Sequence, residues 1–454
     1  MPSRRRYLRV CATGLAATAG CVSVGDPTPT DTGPTPADSD PTPASSDPTP
    51  ADGELNDTED PPERVGTERV RWETDVAYSA TNQPTLVDGR LFAGTAKGVS
   101  TLSPTTGDVQ WSTKTDWPVQ APPHLVGETL VAVIGRFGEH YAVHGYDPET
   151  GERRWTFEPR SHRLRVLASD DETVFVVTAP PNEAGVSASE TLFALASADG
   201  SIRWSVDVNG EHDALVANET VYVAGSEGVV AVETDGARAW THPVDTYQLG
   251  TLGRAVDTLV FVTEPVQRQP MVHGVDMATG EQQWTFGDDW LAFTIRAQEG
   301  RLFVGGERLA RLDPASGTPT WTVDSPVARL LPGYDDNRWV DAWRNALSDA
   351  PLVDGTLYVG GPDAVAVGVE AGTVEWRHDS DLALVSPVAV TRGNLLLRGS
   401  LGTDDRRRHL VCLDTATGEA RWTFAGRFRL TEPVVDTERA YLAESRSGLL
   451  ALEV

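Results

Sequence analysis

The sequence predicts an all-β fold, a single β-propeller of four-stranded antiparallel blades, and three observations carry that prediction. A motif with the form of His409 to Phe424, HLVCLDTATGEARWTF, recurs along the chain: YDPETGERRW ends at Trp155, VDMATGEQQW at Trp284 and LDPASGTPTW at Trp321, with looser copies ending at Trp111, Trp204, Trp240 and Trp376. Nine of the thirteen tryptophans, beginning with Trp72, occupy this one position, at spacings of 39, 44, 49, 36, 44, 37, 55 and 46 residues, and a period of that length marks a repeat architecture. Each unit also reads as four short strands, the content of one propeller blade.

Within a unit, an apolar pair after Pro or Ala comes first, as in Pro84-Thr85-Leu86-Val87. A polar turn such as Asp88-Gly89 follows, then a β-rich strand such as Leu91-Phe92-Ala93. The recurrent motif supplies the third and fourth strands. Asp414-Thr415-Ala416-Thr417-Gly418 reads as the tight turn between them, with Gly418 at φ > 0. Unit starts are plain at Pro84, Pro122, Ala214, Pro351, Pro387 and Pro433, and weaker near Val166, Arg254 and Thr294. No helical period competes over most of the array. The Trp of the fourth strand is large and rigid and is expected to pack between blades.

The two ends of the array explain each other. Glu432 to Val454 supplies three strands without a Trp-bearing fourth, and Val70-Arg71-Trp72-Glu73 supplies that strand from the other terminus. Pairing them closes the ring and removes exposed edges. Counted this way there are nine blades; eight, with one degenerate unit displaced, is the alternative.

Ahead of the array, residues 1–21 read as an export signal: a basic start, an apolar run from Leu8 to Ala19, and small residues before Cys21. Ser3-Arg4-Arg5-Arg6-Tyr7-Leu8 resembles the twin-arginine motif, and Thr18-Ala19-Gly20-Cys21 resembles a lipobox in which Cys21 becomes the lipidated N-terminus. A plain cleaved signal with Cys21 incidental is the alternative. Residues 22–67 form an Asp/Thr/Pro-rich tether with too few large apolar side chains to offset the entropy of ordering, and its prolines favour an extended spacer. The propeller then occupies residues 68–454. Asn56 and Asn218 head Asn-x-Thr sequons, possible glycan sites on a surface protein.

Composition points to an environment. With 66 acidic and 38 basic residues the net charge is −28, and Lys97 and Lys114 are the chain's two lysines. Such a composition resembles that of proteins from salt-loving archaea, and its charge argues against nucleic acid as a partner. Of the three cysteines, Cys11 and Cys21 fall in the signal, which leaves Cys412 and no disulfide for the folded domain.

The repeated pattern Leu413-Asp414, Thr417-Gly418 and Trp422 resembles the tryptophan-docking repeats of the pyrroloquinoline quinone (PQQ) propeller superfamily, over about 385 residues. That resemblance implies two functions. One is a non-enzymatic, BamB-like lipoprotein: a membrane-tethered, monomeric scaffold that binds a protein or peptide at the cell surface and needs no cofactor. The alternative is a PQQ-dependent oxidoreductase with PQQ and Ca²⁺. Quinoprotein alcohol dehydrogenases carry a disulfide between adjacent cysteines, which this chain lacks. His140 and His144 share a strand face about 13 Å apart, too far to grip one ion. No catalytic or metal-binding set emerges from the residues.

Strand parity selects a binding face. First-to-second and third-to-fourth connections share one face, while second-to-third loops and blade-to-blade links share the other. The long inserts, Pro180 to Ser189, Glu264 to Met271 and Leu401 to Arg408, with the link after Trp321, all belong to the second face, which is expected to be functional. Arg406, Arg407 and Arg408 are candidate partner contacts there. Tyr334 to Ala350 has a helical pattern in which Trp339, Trp343 and either Ala346 or Leu347 share a face. Trp339 and Trp343 are read either as a core plug or as partner-binding anchors.

Replacing Arg4 and Arg5 by Lys keeps the charge but is expected to trap the protein inside the cell. Cys21→Ser is expected to release it to the medium. Fractionation of cells and medium checks both, and continued membrane attachment of the Ser variant would rule out the lipid anchor.

Overall fold

Every repeat folds as a sheet because its two central strands are apolar on both sides while its outer strand alternates. In blade 1, Arg90–Thr95 and Gly98–Leu102 are buried almost throughout, whereas Val109–Ser112 is largely exposed. Thr85–Val87 is the innermost strand and completes the order inner to outer. The computed structural model describes residues 63–454 except 77–81, 137–138, 160–162, 180–189, 209–210, 226–227, 245–247, 265–270, 288–291, 307, 325–346, 348, 362, 381, 383, 401–408 and 446.

Nine antiparallel sheets of this kind make a nine-bladed propeller. Blade 5 departs slightly: its innermost strand is split into Gln248–Leu249 and Gly253–Ala255, both paired with Thr258–Glu264. Blade 9 is built from both ends of the array. Val434–Val435, Arg439–Glu444 and Gly448–Glu453 are joined by Val70–Thr74 as the outermost strand, so the ring closes as the sequence implies and the count is nine rather than eight.

One irregularity repeats in all nine blades. The register between third and fourth strands slips by one residue just before the tryptophan, as where Cys412 faces Trp422 but Leu413 faces Ala420, and where Gly145 faces Trp155 but Tyr146 faces Arg153. The extra residue, Arg421 or Arg154 in these blades, is a β-bulge, which twists the strand and re-aims the side chain that follows. Space for the indole comes from the residue opposite, which is small in most blades: Gly145, Ala194, Ala231, Gly274, Ala366 and Ala451.

Eight of the nine re-aimed indoles dock on the next blade. Trp155 Nε1 donates to Ser197 O at 2.8 Å, Trp284 to Pro314 O at 2.8 Å, Trp376 to Thr415 O at 2.8 Å and Trp72 to Pro104 O at 2.9 Å. The ring lies flat on the glycine of the same turn: a Cβ on Gly200, Gly317 or Gly418 would fall about 2.5–2.6 Å from the Trp155, Trp284 or Trp376 ring. Four of these turns are headed by Asp, at 147, 276, 313 and 414. Asp147 and Asp414 each accept two backbone N–H groups, from Glu149 and Thr150 and from Ala416 and Thr417. Those bonds and the bulged Arg154 hold Asp147 well below the usual carboxylate range, near 2. The core is correspondingly divided into layers between blades. One layer, for example, joins Trp72, Leu91 and Leu102 to Tyr441, Leu449 and Ala451 across the ring closure.

The closure differs at one point. Blade 9 has no third-to-fourth turn, because the chain's described ends meet there, and Trp422 of blade 8 is covered by the Arg69 guanidinium at 5.4 Å. Residues ahead of the 68 boundary also join the ring. Val65 pairs with Ala425 of blade 8, and Arg64 donates to both Glu73 oxygens at 2.7 Å and to the fully buried Glu444 at 3.1 Å.

His140 and His144, on the third strand of blade 2, have separate surroundings. His144 is buried with Nδ1 2.8 Å from the Tyr146 hydroxyl. Burial, with the charges of Arg153 and His140, pushes its imidazole down to about 4. The folded state therefore holds His144 neutral where the unfolded state takes a proton, and stability falls as pH drops from about 6.5 towards 4.

Two predictions follow from these contacts. Gly200 and Gly355 have nearly equal φ, +71° and +79°, but only Gly200 carries an indole, while a Cβ on Gly355 meets nothing within 4 Å. Gly200→Ala is expected to cost about 2 kcal/mol more than Gly355→Ala, the overpacking penalty, measured by denaturant unfolding; equal costs would remove the docking role. His144→Gln is expected to flatten the loss of stability between pH 6.5 and 4 by up to ~3 kcal/mol, read as denaturation midpoints across that range.

Candidate functional site

The docking turns commit one face of the ring. Every third-to-fourth turn must stay short enough to receive an indole, and seven of the nine first-to-second turns are two-residue turns such as Asp88-Gly89 and Asp354-Gly355, with φ of +49° and +72° and of +49° and +79°; those of blades 3 and 9 have three residues. Length variation is left to the opposite face. The strand ends that carry the long inserts lie there: Ala179 and Glu190 in blade 3, Glu264 and Met271 in blade 5, Ser400 and His409 in blade 8.

The inserts themselves, with Arg406, Arg407 and Arg408, lie outside the described residues, as do Trp339, Trp343, Arg4, Arg5, Cys21 and Asn56. Of the helical stretch, Leu347 is described: it is helical and fully buried among Phe303, Leu309 and Leu357, between blades 6 and 7. That end of the stretch is therefore part of an inter-blade core. Asn218 stands exposed at φ +52° in the first-to-second turn of blade 4, on the face opposite the inserts.

The insert face has a firm floor between blades 1 and 2. The link after Val109–Ser112 runs as an added strand, with Val119 N–H donating to Thr95 O at 3.0 Å and Gly135 N–H donating to Pro118 O at 3.0 Å. Trp117, outside the docking pattern and half-buried, is sandwiched there. The Arg136 guanidinium lies 5.2 Å from its ring and the His140 imidazole stacks 6.1 Å away at 24°, an arrangement favoured by the ring quadrupole. Glu139 pairs with Arg136 at 3.6 Å, and Glu158 with His140 at 3.5 Å. Sequence reading missed this cluster. Its signal was a tryptophan off the repeat position within a blade-to-blade link.

A quinone-and-calcium centre was tested against the donors present. Among the described residues, no three His, Cys, Asp or Glu side chains converge on a common point. Asp170 caps a turn by accepting the N–H groups of Glu172 and Thr173. Cys412 is buried, and burial raises its thiol to about 11, which leaves it unreactive. No helix among the described residues is long and apolar enough to cross a membrane.

Known proteins share this architecture. Outer membrane protein assembly factor BamB of Yersinia pestis is 25% identical over 329 residues, 67% of this chain and 78% of that protein. The serine/threonine-protein kinase AfsK of Streptomyces griseus is 26% identical over 172 residues, which is 36% of this chain but spans only 20% of the kinase. Among solved structures, BamB from Moraxella catarrhalis aligns with a TM-score of 0.50 at 16% identity, over 73% of this chain and 96% of its own. The computationally designed Ika8 protein aligns with a TM-score of 0.50 at 10% identity, over 85% and 98%. At those identities the two structures show the fold alone. Residues 139–285 and 306–454 match the family model described as outer membrane protein assembly factor BamB. These stretches take in seven of the nine docking tryptophans and more than half of the chain, which therefore belongs to this family of PQQ-type β-propellers.

Proposed function

We propose that the protein is exported, anchored to the membrane through Cys21, and acts as a scaffold that binds a protein or peptide partner on its insert-bearing face at the cell surface. Family membership carries the binding part of this reading, since the relatives are named for an assembly factor. The geometry supports it: a ring closed by repeated docking contacts holds variable loops on one rigid rim, the arrangement in which loops serve recognition. The lipobox-like Thr18-Ala19-Gly20-Cys21 and the Asp/Thr/Pro-rich tether support attachment at a distance from the membrane. The net charge of −28 and the scarcity of lysine support a surface suited to brine. The reading requires no cofactor.

Capture of partners from the cell's own membranes, with the lipid tether intact, tests the proposal. Deleting Leu401 to Arg408, or replacing Arg406, Arg407 and Arg408 by Ser, is expected to leave the propeller folded and to weaken capture at least about fivefold, the loss of one or two interface contacts. Unchanged capture after every insert has been trimmed would sink the reading. Trp339→Ala and Trp343→Ala sort the two roles of that pair: near-normal stability with lost capture marks anchors, and an unfolding cost above about 3 kcal/mol marks a core plug. A saturable thermal shift with PQQ and Ca²⁺ would replace the scaffold by the oxidoreductase.

A further inference from the structure

Eight seams of the ring are locked by an indole that donates to a carbonyl of the next blade. The ninth, between blades 8 and 9, is not: Trp422 has no such acceptor among the described residues, and Arg69 lies over its ring. Residues 64–69 occupy this seam instead. Val65 N–H donates to Ala425 O at 3.0 Å, and Ala425 N–H donates to Val65 O at 3.2 Å. A Cβ on Gly66 would strike Thr423 O, so the segment lies directly against the outer strand of blade 8. Arg64 reaches across to blade 9, where it donates to Glu73 of the closing strand through two bonds of 2.7 Å and to Glu444 of the second strand at 3.1 Å.

The direction of this segment sets its mechanical role. Val65 is level with Ala425, at the end of blade 8's outer strand on the insert face, and Arg69 is level with Trp422, nearer the docking turns. Val70–Thr74 then runs back towards the insert face, from Val70 opposite Leu452 to Thr74 opposite Leu449. The chain therefore doubles back just before the strand that closes the ring. A pull applied at Val70 would open its antiparallel pairing with Gly448–Glu453 from the end, one residue pair at a time. A pull applied ahead of Arg64 meets the Arg64 and Val65 contacts first, at the opposite end of the closing strand, where several bonds must break together. The Arg64 side chain is 8% exposed and that of Glu444 0%, and a pair buried to this degree is little weakened by salt. Glu444 is fixed in turn by the N–H groups of Arg427 and Phe428.

We infer that residues 64–69 are a strain-relief strap: tension arriving along the tether is passed by Arg64 and Val65 into blades 8 and 9 before it reaches Val70–Thr74. The inference rests on the proposed anchorage through Cys21, which supplies the tension, and is independent of what the propeller captures. A tethered scaffold that holds a partner is pulled at its tether. The closing strand is where such a pull would open the ring, because Val70–Thr74 joins blade 9 by strand pairing without a connecting turn. The strap diverts the pull at that one place.

Constant-force measurements on the full chain test this. One handle is attached to the C-terminal residue and the other either at Cys21, with Cys11→Ser, or at position 68, through Glu68→Cys with Cys11→Ser and Cys21→Ser. Glu68 is exposed and lies beyond the Arg64 and Val65 contacts, and Cys412 is buried and takes no handle. At equal force, release of the closing strand is expected to take at least about tenfold longer when the pull enters at Cys21, because a buried charge pair must break first. Arg64→Gln with Glu444→Gln removes that pair without leaving a lone buried charge, and is expected to bring the Cys21 lifetime down to that at position 68. Equal lifetimes from the two handle positions in the parent chain would overturn the inference, as would an undiminished Cys21 lifetime in the double variant. Where the double variant does not fold, Val65→Pro deletes the N–H given to Ala425 O and is expected to shorten the Cys21 lifetime; no shortening overturns the inference equally. A protein that shows these lifetimes but stays on the membrane as Cys21→Ser loses the anchorage reading and not the strap.

Discussion

The indole that crosses from one blade to the next is the contact on which this structure depends. It brings together a bulge that turns the fourth strand just before the tryptophan, in most blades a small residue opposite that makes room, and a glycine turn on the following blade whose carbonyl accepts the indole N–H. Trp155 shows all three, in the bulged Arg154, Gly145 and the turn from Ser197 to Gly200. An indole left without its acceptor would bury an unsatisfied donor at a cost of about 1–3 kcal/mol, so the ring cannot drop one element without loosening the others. The head-group Asp and the bulged Arg belong to the same unit, since Arg154 reaches Asp147 at 2.6 Å.

Closure of the ring is solved by substitution at one point. Where blade 9 lacks a turn for Trp422, a cation takes the place of the glycine, and Arg69 covers the indole face. Arg64 then ties two strands together through Glu73 and the buried Glu444, whose other oxygen accepts the Phe428 N–H at 3.1 Å. A buried carboxylate is tolerable only when its lone pairs are satisfied in this way, and removing one partner of such a pair is strongly destabilising. Because the folded domain has a single, buried cysteine, this ionic clasp and the pairing of Val70–Thr74 with Gly448–Glu453 hold the ring without a covalent link.

Much of this was legible in the sequence, and what was not has physical reasons. Trp-to-Trp spacing gave the blade count, and the missing fourth strand at Val454 gave the closure, because both are periodic features that local composition records. The bulge was not legible: one extra residue leaves the alternation of Arg421 and Trp422 looking like any strand, and only pairing partners across the sheet reveal the slip. Nor was the role of Arg64, since the tether boundary was drawn by composition while the clasp depends on a carboxylate 380 residues away. At the candidate face the floor at Trp117 was not legible, because aromatic, cation and link come together there from separate parts of blades 1 and 2.

The docking geometry also leaves one side of the ring free to vary in length. Turns that receive an indole leave no room for a Cβ, so the face they occupy is fixed eight times over, and the long inserts fall in the second-to-third loops and the links. A rigid rim suits recognition because loops held by it lose less freedom when they bind. Charge then sets what can approach. In a chain at −28 most of the surface repels anions and attracts cations.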